Sequence, residues 1–137
     1  MKKKAIDKKY IYMREDQKCY YCGRFLMPNK VSMDHYFPKS KGGTFDLFNL
    51  VCSCKRCNNF KRSHVPEDWM EVNIKLFRQA IEDKRIVTIG GLNIKVEELL
   101  KLAEKVDRTS VSEGYMVFEG PGIQFYVKEN KIFKVTM

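Results

Sequence analysis

CYYCG (19–23) and CSCKRCNNFK (52–61) flank MDHYFPKSKGGTFDLFNLV (33–51), and the spacing of the cysteines at the two ends decides how this chain folds. Cys19 and Cys22 form one C-x-x-C pair, Cys54 and Cys57 the other. A C-x-x-C turn brings two sulfurs close enough to share one tetrahedral ion. Two such turns separated by a loop complete a four-thiolate structural zinc site, with free core thiols or redox pairs as the competing readings. Cys52 is left over; in the apolar run LVCSC it reads as a small buried hydrophobe rather than a ligand. Disulfides would need an oxidising compartment, and MKKKAIDKKYIYM has neither an apolar signal region nor a small-residue cleavage site. The expectation is a reduced, intracellular, cytoplasmic protein.

Working outward, the apolar positions Ile6, Tyr10, Ile11 and Met13 predict a helix from Ala5 to about Gln17, leading into the first cysteine turn. VSMDHYF reads as a strand stopped by Pro38, and PKSKGGTFDLF as a Gly-rich loop long enough to be functional. LVCSC is the return strand and KRCNNFKRSH a short helix. The order around one metal site is therefore strand, loop, strand, helix, a ββα arrangement.

The 137 residues fit one domain or a small module plus an extension, and 44% hydrophobic residues suffice for an ordinary core. No apolar stretch approaches the ~20 residues of a membrane span, and no long-period repeat is visible. The net charge of +9 is unevenly placed. Residues 1–64 hold 15 of the 26 Lys and Arg but 5 of the 17 Asp and Glu, a net of +10, which leaves −1 for residues 65–137. A basic field beside a polar metal site suits a polyphosphate partner, because each Lys or Arg near a phosphate releases condensed counterions. Nucleic acid is the natural candidate, against the plainer reading of a solvated Lys-rich surface.

Residues 19–64 resemble the HNH endonuclease family, whose fold is the ββα-metal, or His-Me, finger. CYYCG, MDHYFPKSKGGTFDLFNLV and CSCKRCNNFK occur in the family's order with its loop lengths, and IYMREDQ resembles the helix that commonly precedes them. The resemblance places the family's invariant histidine at His35, the acidic residue before it at Asp34, the middle asparagine at Asn49 and the third motif position at Asn58. Many members carry His at that third position, so this is an H-N-N variant. The implied fold class is α+β: a zinc-stapled ββα-metal finger in residues 1–65, then residues 66–137 as a C-terminal helix and small antiparallel β extension.

The chemistry asks for these residue types. Phosphodiester hydrolysis needs a deprotonated water in line with phosphorus, stabilisation of developing charge and help for the leaving oxygen. His35, the only histidine inside the constellation, takes the general-base role. Asp34 and the Asn58 carboxamide are hard oxygen donors suited to Mg²⁺ or Mn²⁺, an ion separate from the zinc. Adjacent residues of an extended strand face opposite ways, so a local distortion is expected at Asp34 and His35. The resemblance implies that Asn49 reaches across the loop to backbone near His35 and orients it without touching metal. Loop capping alone is the alternative. Asn59 is the weaker alternative ligand, and His64 reads as a surface or helix-end residue.

Lys61, one turn after Asn58, is expected to contact phosphate. Lys55, Arg56 and Arg62 on the same helix, and Lys39 and Lys41 in the Gly-rich loop, are further phosphate-positioning candidates. Tyr20, Tyr21 and Phe25 read as packing around the cysteine turns rather than as base-stacking groups. Downstream, Pro66 to about Lys84 predicts an amphipathic helix, IVTIGGLNIKV a hairpin around Gly90 and Gly91, VEELLKLAEKV a second helix, and residues 114–137 a meander.

Three functions compete on this reading. A metal-dependent DNA endonuclease acting on double-stranded DNA leads, either nicking as a monomer or cutting both strands as a homodimer, in a phage, mobile-element or host setting. An RNase of the same finger differs only in its 2′-OH contact. A silent zinc-knuckle binding module would need none of Asp34, His35 and Asn58.

Overall fold

The computed structural model describes residues 2–88 and 94–137. Among the described residues it is a mixed α+β fold with four helices and two sheets. Helix α1 (Lys2–Arg14) precedes the two-stranded antiparallel hairpin β1 (Ser32–His35) and β2 (Leu50–Ser53), and α2 (Lys55–Lys61) follows at once. The ββα order expected from the sequence is present. Helix α2 is shorter than expected, because Arg62 has a φ of 51°, outside the helical region.

The cysteine turns tie these pieces together. The four Sγ atoms of Cys19, Cys22, Cys54 and Cys57 all lie within 4.8 Å of one another. A tetrahedral zinc with bonds of about 2.3 Å places its sulfurs about 3.8 Å apart, so the set is positioned to hold such an ion. The chain prepares the site with its backbone: the Cys54 amide faces Cys19 Sγ and the Cys57 amide faces Cys54 Sγ, both at 3.4 Å. Cys54 thereby caps α2. Cys52 is fully buried and separate, with its thiol pushed up to about 12 by burial and by Glu15.

Helix α1 is held to β2 through a half-buried acidic residue. Glu15 Oε1 accepts from the Cys52 amide at 2.7 Å, and its other oxygen pairs with Arg14, whose guanidinium also donates to Leu47 O and Leu50 O. Burial raises the Glu15 pKa against these partners. The apolar side of this layer is Ile11, Tyr12, Leu26, Val31, Leu47 and Leu50 around the thiols.

The extension consists of α3 (Trp69–Glu82), β3 (Val87–Thr88), α4 (Val96–Ala103) and the meander β4 (Arg108–Ser112), β5 (Tyr115–Gly120), β6 (Ile123–Lys128) and β7 (Lys131–Thr136). Its sheet runs β3-β7-β6-β5-β4, antiparallel except for the short β3 beside β7. The hairpin expected in IVTIGGLNIKV centres on residues outside those described. Val87 and Thr88 pair in parallel with Lys131 and Ile132, and Val96 opens α4 with Glu97 and Glu98 in its first turn, where carboxylates meet the positive helix end. The Gly90 and Gly91 turn lies outside the described residues. Strand β4 went unread because RTSVS carries almost no apolar alternation.

One core crosses the expected boundary at residue 65. Phe77 of α3 stacks on Phe118 of β5 with centroids 4.0 Å apart, and Phe48, from the loop before β2, meets both edge-on. The boundary divides the sequence, not the packing. No helix among the described residues is long and apolar enough to cross a membrane.

Two tests follow from this packing. Phe77→Ala, at a fully buried position, should cost about 3–5 kcal/mol in denaturant unfolding. A loss under about 1 kcal/mol would show that the shared core is not the anchor. The purified chain should carry one zinc per molecule by elemental analysis, and a thiol-competing chelator should unfold the β1–β2–α2 unit, because closing a four-thiolate site contributes folding energy. Unchanged circular dichroism and unfolding midpoint after complete metal removal would contradict the staple.

Candidate active site

The sequence from Met33 to Lys61 folds back so that β1 lies between α2 on one side and the Gly-rich loop on the other. Alternation along β1 assigns its neighbours to different faces. The register Asp34 to Val51 and His35 to Leu50 runs without a shift, and the Tyr36 amide continues it to Asn49 O at 2.8 Å. The distortion expected at Asp34 and His35 is absent from the ladder. Physically, both residues keep their cross-strand partners, so bending there would break paired backbone groups.

Asp34 is buried on the α2 side. Its Oδ2 accepts a hydrogen bond from the Tyr21 hydroxyl and lies 3.4 Å from Lys61 Nζ. Lys61 also donates to His35 O at 3.0 Å. Its side chain is only 7% exposed, so the ammonium is turned inward onto β1 rather than displayed for an incoming phosphate. Burial and the Asp34 carboxylate together drive the Tyr21 pKa far above its ordinary value, which keeps the phenol a donor. Tyr21 stacks on Tyr36 with an interplanar angle of 8°, and Tyr36 donates to Asp68 at 2.6 Å. Tyr20 meets both rings edge-on. The tyrosines beside the first cysteine turn are packing, as expected, yet Tyr21 also partners Asp34, a role nothing in CYYCG announces.

His35 lies on the other side. Its ring meets Phe45 edge-on at 4.4 Å and lines a cavity of about 730 Å³ with residues of the Gly-rich loop. That loop is closed by Gly43, where a Cβ would come within 1.8 Å of Phe37 O, so only glycine fits. Lys39 Nζ lies 4.9 Å over the Phe45 ring, and Lys41 is exposed beside it.

Asn49 is fully buried and spans the loop. Its Nδ2 donates to Phe37 O at 3.1 Å and Thr44 O at 3.0 Å, and its Oδ1 accepts from the Phe37 amide at 2.9 Å. Asn73 of α3 adds a further donor to Asn49 Oδ1 at 2.9 Å and another to Phe48 O at 2.8 Å. Sequence reasoning passed over Asn73; the signal was a polar residue inside the apolar stripe Val72, Ile74, Leu76, Phe77.

Asn58 is half-buried on α2, one turn before Lys61 and hence on the same helix face. Lys55, Arg56 and Arg62 are exposed along α2 and its end. Arg56, Lys61 and the exposed His64 line a second cavity, of about 900 Å³, beside the cysteines. The structure thus gathers Asp34, Lys61 and Tyr21 on one face of β1 and His35 and Phe45 on the other, with Asn49 bracing the loop between.

Cys19 and Cys57 carry the electrostatic mark of the cluster. Burial opposes ionisation of Cys19, but amides of Cys22, Cys54 and Tyr21 outweigh it and bring the thiol down to about 7. The Cys57 thiol goes the other way, up to about 12, through burial and the three neighbouring sulfurs. Four thiolates this close repel one another, and a divalent cation is what would relieve the repulsion.

Comparison with curated proteins gives no match for the chain. Residues 19–71, from the first cysteine into α3, match the model of the HNH endonuclease family.

Proposed function

We propose that the protein is a metal-dependent endonuclease that hydrolyses phosphodiester bonds in double-stranded DNA, with His35 as general base and a divalent ion held by Asp34 and Asn58. The family match over residues 19–71 supports a nuclease acting on nucleic acid. The placement of Asp34 and His35 back to back on β1, braced by Asn49, is the observation that carries the finer assignment. A phosphate approaching the end of β1 would be reached by His35 from one face and by Asp34 from the other.

The donor chemistry fits a hard cation. A carboxylate and a carboxamide offer oxygen only, which favours Mg²⁺ or Mn²⁺ over softer metals. Such an ion, when bound, would neutralise charge building on the phosphate oxygens. The chain's own residues do the rest. His35 accepts the proton of the attacking water at a ring nitrogen, an event suited to an imidazole near neutral pH. Asn49 fixes the loop that holds His35 against Phe45, so the base is oriented before substrate arrives. Lys61 keeps Asp34 company and could turn to a phosphate oxygen only by leaving it. Lys55, Arg56, Arg62, Lys39 and Lys41 contact backbone phosphates and set position rather than sequence preference.

The test is cleavage of supercoiled plasmid, single-stranded DNA and RNA with Mg²⁺, Mn²⁺ or no divalent ion. The expected result is Mg²⁺- or Mn²⁺-dependent nicking of plasmid, reduced at least about 100-fold by His35→Ala with folding and DNA binding retained. Undiminished cleavage by His35→Ala would overturn the base assignment, and cleavage confined to RNA would overturn the substrate.

A further inference from the structure

The cavity that His35 lines is not built by the HNH segment alone. The extension contributes part of its lining: Gly114 in the β4–β5 turn and Lys128, Glu129 and Asn130 at the β6–β7 turn, together with Lys8 of α1. None of these lies within the family match at residues 19–71.

This part of the lining is fixed to the Gly-rich loop. Asp46 Oδ1 accepts from the Asn130 amide at 2.5 Å, and Asn130 Oδ1 accepts from the Leu47 amide at 2.7 Å, a reciprocal pair spanning more than 80 residues. Glu129 and Asn130 adopt φ values of 50° and 60°, and Asn130 is only 9% exposed, so the turn is held in one shape by its contact with the loop. Beside it, Val111 of β4 leans on the loop at Gly42, 3.3 Å from where a Cβ would lie. The two loop ends that frame His35 and the β6–β7 turn therefore form one preorganised unit.

We propose that this sheet is a working wall of the nucleic-acid cleft, in which Lys128 contacts a backbone phosphate of the strand presented to His35. The inference rests on the nuclease reading and assigns to residues 66–137 a share in substrate binding. Lys128 and Lys8 are both exposed and line the same cavity as His35. A phosphodiester strand entering that cavity toward His35 would bring a phosphate to Lys128. Glu129 is exposed next to Lys128 and adds a negative charge to the same cavity. The pair supplies a signed test, because a phosphate at this place responds oppositely to loss of the two charges.

The experiment measures binding of a fluorescein-labelled DNA duplex by anisotropy, without added divalent ion and over a series of salt concentrations, followed by steady-state cleavage. The variants are Lys128→Gln and Glu129→Gln, with Lys134→Gln, distant on β7, as a control for net charge alone. Lys128→Gln should weaken binding about three- to tenfold and reduce the slope of log K against log salt by about 0.9, the value for one phosphate contact. Its KM should rise with kcat unchanged. Glu129→Gln should tighten binding about twofold, and Lys134→Gln should do neither. Thermal unfolding of each variant separates binding from folding. If the wild type binds and cuts DNA while Lys128→Gln and Glu129→Gln leave affinity unchanged or move it in the same direction, the wall is overturned and the nuclease reading stands. A wild type that neither binds nor cuts nucleic acid overturns both.

Discussion

Four sulfurs within 4.8 Å of one another set the position of every other group in the site. The first pair ends a turn at the foot of α1, and the second pair opens α2 directly after β2. Gathering them forces α2 to begin beside the hairpin, so that Asn58 and Lys61 project from a helix whose place is fixed by covalent geometry. Lys61 then reaches β1, and Asp34 is enclosed between it and Tyr21. Without a cation the same four thiols would be a liability, as the depressed Cys19 and elevated Cys57 show. A cation held by these four thiols would supply folding energy and orientation together.

The second constraint is the aromatic stack of Phe48, Phe77 and Phe118. It seats the loop before β2 on the extension, and Asn73 then braces Asn49 from below. Support for the loop that packs against His35 thus comes from three directions: Asn49, helix α3 and the Asp46–Asn130 exchange. The extension is part of how this small finger becomes rigid.

Much of this was legible in the residues. The cysteine spacing gave the metal cluster, the β-branched start and Pro38 gave β1, and the apolar stripe from Trp69 gave α3. Asn49 was expected to cross the loop, and it does so with three hydrogen bonds. Other features depended on partners distant in sequence. Lys61 could be placed on the Asn58 face by helical period, but its inward turn follows from a carboxylate and a carbonyl on β1, 27 and 26 residues earlier. Asn130 looked like a turn residue and nothing more; its reach to Asp46 and Leu47 is a tertiary fact. The bend foreseen at Asp34 and His35 was an argument from chemistry, and intact ladder pairing outweighed it.

The proposed site needs a hard divalent ion on Asp34 and Asn58 and a different ion among the cysteines. Crystals grown with Mn²⁺, with anomalous differences collected at the manganese and zinc edges, test it in one experiment. The account predicts a manganese peak within about 2.5 Å of both an Asp34 carboxylate oxygen and the Asn58 carboxamide oxygen, and a zinc peak among the four sulfurs. Manganese bound elsewhere, or no metal between the two cysteine pairs, would contradict it.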